Sequence, residues 1–153
     1  RIRLVLIGAD PSIKSYIDKM QSNQDRVVIF PKTPFKDLPA HLSAADILVI
    51  PQRDTTDTQG QMPAKLFDAM SMAKPIITTP LSDIEEVLGG YGYLIDPSNP
   101  YQLAKTIEYI FANTEEARLK GLNARKRCQE LYDIKVLKKE LELQIKKLTT
   151  EQS

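Results

Sequence analysis

The feature that most restricts the fold of this chain is a regular alternation of two kinds of segment. Short apolar runs rich in β-forming residues alternate with longer segments whose apolar residues recur with the period of an α-helix. The strand-like runs are Leu4–Ile7, Val27–Phe30, Ile47–Ile50, Ile76–Thr79 and Tyr93–Ile95. Strands joined through helices pair in parallel, so this order predicts an α/β fold with helices on both faces of a parallel sheet.

Helix boundaries are marked by local signals. Asp10-Pro11 and Asn99-Pro100 each place a capping residue before a proline, which is typical of a helix start. Ser82-Asp83-Ile84-Glu85 has the pattern of a capping box, and Gly89-Gly90 would end that helix. Inward faces are expected at the following residues: Ile13, Tyr16, Ile17, Met20; Leu66, Phe67, Met70; Leu103, Ile107, Ile110, Phe111. Further helices are expected over 37–43, from Pro63 to about Ala73, from Thr114, and from Ile134 to Leu148.

The size of the chain suits one doubly wound, Rossmann-like domain over residues 1–153. It has 153 residues, of which 42% are hydrophobic and 27% charged, so one core and a solvated surface are expected. Strand-like residues begin directly after Arg1, without a lead-in. We therefore expect a piece excised from a longer two-domain chain.

Charge and composition argue against several classes of protein. A net charge of +1 provides no general attraction to nucleic acid. No apolar run approaches the roughly 18 residues that a membrane span needs. The single cysteine, Cys128, cannot form an internal disulfide, which suits a cytoplasmic location. We expect Cys128 to lie in the core with Ala117, Gly121, Ala124 and Leu131.

The candidate site begins in the segment Gln52–Met62, the longest stretch without predicted secondary structure. It follows Ile47–Ile50, which we predict to be the most buried strand, and ligands of open α/β sheets bind where strands end. The next helix is predicted to start at Pro63. The free N–H groups and the dipole of its first turn favour phosphate, and Lys65 adds a cation there. Asp68, one turn on, could accept hydrogen bonds from two neighbouring hydroxyl groups of a ribose.

An ordinary alternative remains, since Lys65 and Asp68 could also form a simple surface pair. His41, the sole histidine, is expected to be structural. Asp54 and Asp57 have no supporting cluster of ligands, so no metal is expected.

A resemblance sharpens the hypothesis. Pro63-Ala64-Lys65-Leu66-Phe67-Asp68 and the following Ala69–Thr79 resemble the donor-site signature of retaining glycosyltransferases with the GT-B fold, the family with two glutamates separated by seven residues. Further pieces resemble the same family in the same order: Leu4–Gly8, Val27–Leu38, Ala44–Pro51, Tyr91–Asn99 with Leu103-Ala104, and Asn123–Lys126 with Tyr132.

The resemblance implies a nucleotide-sugar donor, UDP- or GDP-linked, with no cofactor and no metal. It implies that Asp68 holds the ribose and that the backbone of Pro63, Ala64 and Lys65 meets the pyrophosphate. Lys32 and Thr33 would border the base, and Gly8 would allow close approach of the ligand. A direct phosphate contact by the Lys65 side chain is our own inference from its position. The implied acceptor lobe, N-terminal to this domain, is a further partner, and this domain alone is expected to be inactive.

Two departures from the family pattern leave alternatives open. Asp68 replaces the second glutamate, and Gly60 stands where the first would be, close to the donor sugar. A degenerate lobe that only binds or scaffolds is one alternative, and a sugar-nucleotide epimerase of the same fold is another. A dinucleotide oxidoreductase is disfavoured because Gly8-Ala9-Asp10-Pro11 lacks the required glycines. A receiver domain is disfavoured because Asp46 precedes its strand instead of ending it.

The C-terminal third is basic, with ten Lys or Arg and four acids between Arg118 and Lys147. A solvated helix face explains this charge. Contact with an anionic membrane, at the inner face of the cell membrane, is the sharper alternative. The helix within 134–153 is also expected to pack on the missing lobe through its apolar stripe, Leu137, Leu141, Ile145 and Leu148.

Overall fold

A computed structural model describes residues 2–20 and 23–150 of the chain. By contacts the chain divides into two compact units, Arg1–His41 and Leu42–Ser153, and each is described by itself.

The first unit is a parallel β-strand pair with one crossover helix. Strand β1 (Leu4–Ile7) pairs with β2 (Val27–Phe30), with Leu4 opposite Val27. Helix α1 (Ile13–Asp18) lies between them in sequence, and α2 (Leu38–Ser43) follows. The His41 ring lies 5.7 Å from that of Phe30, tilted by 58°. His41 thus packs against the end of β2.

The second unit contains a three-stranded parallel sheet in the order β3-β4-β5. Its strands are β3 (Leu48–Ile50), β4 (Ile76–Thr78) and β5 (Tyr93–Leu94). Its helices are α3 (Thr56–Gln59), α4 (Ala64–Ser71), α5 (Ile84–Leu88), α6 (Pro100–Ala112), α7 (Thr114–Leu131) and α8 (Ile134–Thr150). Parallel strands alternating with helices confirm the predicted α/β class.

The core of this unit is built on both faces of β4. Successive side chains of a strand point to opposite faces, so Ile76 and Ile77 enter different apolar clusters. One cluster joins Ile76 to residues of α4, α5 and α7, and the other joins Ile77 to Ile95, Ile110 and Ala117. The prediction that Ile47–Ile50 is the most buried strand is wrong. Strand β4 is fully buried, because it lies between two neighbours, whereas Val49 is 37% exposed.

The predicted start of α6 is confirmed, whereas the predicted start at Asp10-Pro11 is wrong, because α1 begins at Ile13 with Ser12 as its N-cap. Asn99 caps α6 by accepting a hydrogen bond from the Gln102 amide at 2.9 Å, as expected. The predicted capping box at Ser82 is wrong, since Asp83 occupies the N-cap of α5 and makes no side-chain cap. Ser82 instead adopts a left-handed conformation with φ 53°. Gly89 ends α5 in the left-handed conformation, as predicted.

Some helices bury fewer of their apolar residues than predicted. Ala117, Ala124 and Cys128 are buried on α7, but Leu131 is 43% exposed at the end of that helix. Phe111 on α6, Tyr16 on α1 and Met20 beyond α1 are also exposed. Only the centre of each apolar stripe meets the sheet, so residues at stripe margins and helix ends turn outward.

Among the described residues, no helix combines the length and the apolar character that crossing a membrane would need.

Candidate functional site

The site of the second unit lies at the carboxyl ends of β3 and β4. Two hydrogen bonds join these ends: Thr78 Oγ1 donates to the carbonyl of Ile50 at 2.9 Å, and the Gln52 amide donates to Thr79 Oγ1 at 3.1 Å. Thr78 and Thr79 are themselves buried. The root of the loop that follows β3 is therefore held against β4.

The loop itself is more ordered than the sequence predicts. The segment 52–62 is predicted to lack secondary structure, but it contains the single-turn helix α3. Thr55 and Thr58 form a capping box around that turn, and Thr58 Oγ1 also donates to the carbonyl of Arg53. Gln59 Nε2 donates to Asp54 Oδ1 at 2.9 Å. Within residues 2–20 and 23–150, no group of three or more His, Cys, Asp or Glu is placed to hold a metal ion.

Helix α4 begins one residue later than predicted. Pro63 is its N-cap, with φ −73° and ψ 121°, and Ala64 is its first helical residue. The proline carbonyl accepts the amide of Leu66 at 2.9 Å. Ala64 and Lys65 are exposed residues, and no acceptor for their amides lies within the described chain. The start of α4 therefore offers two N–H groups, with the exposed Lys65 side chain in the same turn.

Asp68 lies one turn further along α4 and is half-buried. Its main-chain carbonyl accepts hydrogen bonds from Ser71 Oγ at 2.8 Å and from the amide of Met72 at 3.2 Å. Its carboxylate makes no hydrogen bond or ion pair with any residue in the described ranges, and the alternative surface pair with Lys65 is not formed. Both acceptor oxygens remain available to a ligand.

Gly60, where the resemblance places a glutamate, is not required by the backbone. It ends α3 with φ −104° and ψ 8°, a conformation open to any residue. A Cβ atom built on Gly60 meets nothing within 4 Å. A glutamate would fit here, so the fold does not require a glycine at this position.

The remaining predicted residues, Gly8, Lys32 and Thr33, come together in the first unit. Gly8 follows β1 with φ 66°, and its amide donates to the carbonyl of Phe30 at 3.0 Å. A Cβ atom on Gly8 would lie 3.6 Å from Cα of Lys32, so the two strand ends approach closely. Thr33 Oγ1 donates to the carbonyl of Pro31 at 3.4 Å. These three residues thus form one edge within their own unit.

Two side chains that the sequence analysis did not single out become notable in the structure. Gln52, two residues after the end of β3, has a buried Oε1 atom that finds no partner in the described chain. The only sequence signal was a polar residue close to the end of an apolar strand. Tyr132, matched to the family only as part of a motif, packs its ring on Phe67 beside Asp68, with ring centroids 5.2 Å apart. No local pattern pairs these two rings, because they come from segments far apart in sequence.

The fold defines a class of protein, an α/β domain of the kind found in GT-B glycosyltransferases. The chain belongs to the family described as glycosyl transferases group 1, whose model matches residues 1–113. No curated protein sequence matches the chain.

Solved structures with the same fold support this assignment. Sucrose-phosphate synthase from Thermosynechococcus elongatus is 22% identical with a TM-score of 0.82, over 97% of this chain and 39% of that chain. Anabaena Alr3699/HepE in complex with UDP is 18% identical with a TM-score of 0.76, over 95% of this chain and 41% of that chain. The C-terminal domain of LpcC from Francisella tularensis, a glycosyl transferase group 1 family protein, is 17% identical with a TM-score of 0.67, over 82% of this chain and 65% of that one. The chain spans about two fifths of the length of the first two.

Proposed function

We propose that this chain binds a nucleotide-activated sugar, UDP- or GDP-linked, as the donor half of a retaining glycosyltransferase. The observation that carries the proposal is the arrangement on α4. Two amides without acceptors in the described chain begin the helix, and the carboxylate of Asp68 follows one turn later. An N-terminal turn favours phosphate, and a carboxylate can accept from both hydroxyls of a ribose. The Alr3699/HepE structures in complex with UDP and with UDP-glucose add support from related folds.

In this proposal the residues position the donor and stabilise charge. The amides of Ala64 and Lys65 and the Lys65 ammonium face the diphosphate, whose charge grows as the sugar leaves. Asp68 holds the ribose, Lys32 and Thr33 border the base, and Gly8 admits the ligand close to the backbone. No cofactor or metal takes part. Within the whole protein, an N-terminal lobe supplies the acceptor site, so residues 1–153, as one donor domain, do not transfer sugar alone.

The role of Asp68 is tested by nucleotide titration of the full-length protein. Asp68→Ala should weaken UDP or GDP binding by about 1–3 kcal/mol, the cost of losing charged hydrogen bonds. Asp83→Ala is a matched control, because it removes an acid at the N-cap of a different helix, α5. Isothermal titration calorimetry gives the dissociation constants, and amide shifts confined to residues 63–68 would locate the ligand. Equal affinity of wild type and Asp68→Ala would contradict the assignment.

The competing functions differ in turnover. Because the backbone at Gly60 accepts any residue, Gly60→Glu should fold and can restore the missing carboxylate. We expect the wild-type full-length protein to transfer sugar and to retain the configuration of the donor. A degenerate lobe would bind donor without transfer, with activity appearing only in Gly60→Glu. An epimerase would interconvert sugar nucleotides without any acceptor, which product analysis by chromatography detects.

Helix α8 is proposed as the part that contacts the other lobe, with an anionic membrane at the cytoplasmic face as the second candidate. Its apolar stripe is exposed, with Leu137 at 48%, Leu141 at 61% and Leu148 at 63%. Five lysines, Lys135, Lys138, Lys139, Lys146 and Lys147, and two glutamates, Glu140 and Glu142, lie on this helix. Cosedimentation of the full-length protein with phosphatidylserine vesicles would favour contact with the membrane. No cosedimentation would favour contact with the other lobe.

A further inference from the structure

The C-terminal end of α7 lies directly against the part of α4 that carries Asp68. Tyr132 follows the last residue of α7, and its amide donates to the carbonyl of Cys128 at 2.9 Å. The Tyr132 ring meets that of Phe67 edge to face, with centroids 5.2 Å apart and an interplanar angle of 64°. Phe67 immediately precedes Asp68, so the position of this ring fixes the backbone from which the carboxylate extends.

A second contact joins the same two segments. The thiol of Cys128 lies 4.0 Å from the carbonyl of Phe67, at the weak end of hydrogen bonding to sulfur. Burial raises the pKa of the Cys128 thiol, and the charges of Asp133 and then Asp68 raise it further. The contact with the Phe67 carbonyl therefore ties the residue before Asp68 to the end of α7.

Asp133 adds a fixed negative charge at this junction. Its Oδ1 accepts the amide of Lys135 at 2.8 Å, which holds the carboxylate at the start of α8. The Asp68 carboxylate has no partner of its own in the described chain, so the neighbouring backbone and packing set its direction.

We infer that Tyr132 is a positioning residue for ligand binding: by packing on Phe67 it holds Asp68 where both carboxylate oxygens can accept from a vicinal diol. The inference rests on the proposed function, since it assigns Tyr132 a role only if Asp68 binds the nucleotide. It extends the site from α4 to the α7–α8 junction. Without the Tyr132 ring, the Asp68 carboxylate would still be present but could point in other directions.

A double-mutant cycle tests this inference, because it separates action through Asp68 from general packing. UDP and GDP are titrated calorimetrically into the full-length protein as wild type, Tyr132→Ala, Asp68→Ala and the double variant. Tyr132→Ala should raise the dissociation constant by about 3- to 10-fold when Asp68 is present, and by less than about 2-fold in the Asp68→Ala background. Tyr132→Phe, which keeps the ring, should bind like wild type.

Two further variants keep the test decisive. Tyr109→Ala removes the partner of another edge-to-face pair, Tyr93–Tyr109, at 6.2 Å and 62°, whose Tyr93 packs on the apolar cluster that contains no residue of α4. It should lower the melting temperature without changing nucleotide affinity. Tyr132→Leu replaces Tyr132→Ala if that variant does not fold, as judged by circular dichroism.

The outcomes are distinct. If Tyr132→Ala raises the dissociation constant by the same factor with and without Asp68, or leaves it unchanged, the positioning role is overturned while the proposed function stands. If wild type binds neither nucleotide, or if Asp68→Ala binds as tightly as wild type, the proposed function fails and the positioning role fails with it.

Discussion

Single residues in this molecule show the cost of burying polar atoms. Tyr93 begins β5, and its hydroxyl oxygen is buried without a hydrogen-bond partner in the described residues. The ammonium of Lys120 lies 4.2 Å from the centre of its ring. Burial, followed by the charge of Glu116 and the neighbouring Tyr109, raises the pKa of Tyr93 to about 12. The folded state therefore retains a proton here that the unfolded chain loses at lower pH.

This difference predicts a loss of stability in alkali. A tyrosine side chain has an ordinary pKa of 10.0, and that of Tyr93 is about 12 in the folded protein, so its contribution is complete below pH 10 and declines towards pH 12. Tyr93→Phe lacks the ionising group, so its free energy of unfolding should fall less over this interval. The same substitution should also be neutral or slightly stabilising at pH 7, because it removes an unsatisfied hydroxyl.

Urea unfolding of both proteins at a series of pH values measures this effect. Tyr101→Phe is the control, since that side chain is 72% exposed and should leave the pH profile of wild type unchanged. If the free energy of unfolding falls equally with pH in wild type and Tyr93→Phe, the buried hydroxyl does not cause the loss of stability in alkali.

Individual residues also show which parts of the candidate site can be predicted from the sequence. The exposed start of α4 and the available carboxylate of Asp68 follow from local spacing, and both are found. The sequence places Pro63 one position too far into the helix, because a proline fits both the N-cap and the first turn. The surroundings of Gln52 and Tyr132 could not be predicted, since they come from other parts of the chain.

At the scale of elements, short helices depend on neighbours. Helix α5 has only five residues, too few to be stable alone. Arg127 of α7 donates from Nε to the carbonyl of Val87 and from Nη2 to that of Glu86, both at 2.9 Å. A cation at the C-terminal end of a helix also interacts favourably with the helix dipole. One side chain of a long helix thus completes the end of a short one.

Arg127→Ala should lower the free energy of unfolding by about 1–3 kcal/mol, because two carbonyls lose a charged donor. Arg118→Ala is the matched control on the same helix. Arg118 pairs with Glu115 at 2.7 Å, but the side chains are 58% and 70% exposed, so little or no loss of stability is expected. Chemical denaturation monitored by circular dichroism compares them. Similar losses for both variants would contradict the role assigned to Arg127.

At the scale of the whole molecule, α8 stands apart from the core. Each of the helices α4, α5, α6 and α7 supplies residues to at least one of the two apolar clusters. Neither cluster contains a residue of α8. Every residue of α8 whose burial is described is exposed. The helix is therefore available for another surface and contributes little to this domain.

A chain ending after Asp133 should accordingly keep its fold, with a change in the free energy of unfolding below roughly 1 kcal/mol. A chain ending after Ala112 should not fold, since it also loses Ala117, Ala124 and Cys128 from the core. Thermal melts followed by circular dichroism distinguish the two truncations. A large loss on removing α8 alone would mean that its contacts within the domain stabilise the fold.

Local patterns by themselves determined the alternation of strands and helices, the cap at Asn99, the helix end at Gly89 and the helix that carries Asp68, because each depends on residues a few positions apart. Tertiary structure decided which strand is central, that Ser82 does not cap α5, and that Tyr132 meets Phe67. Those outcomes depend on which distant segments pack together. Burial, charge and hydrogen bonding across such contacts are properties of the assembled fold, which no short window of sequence contains.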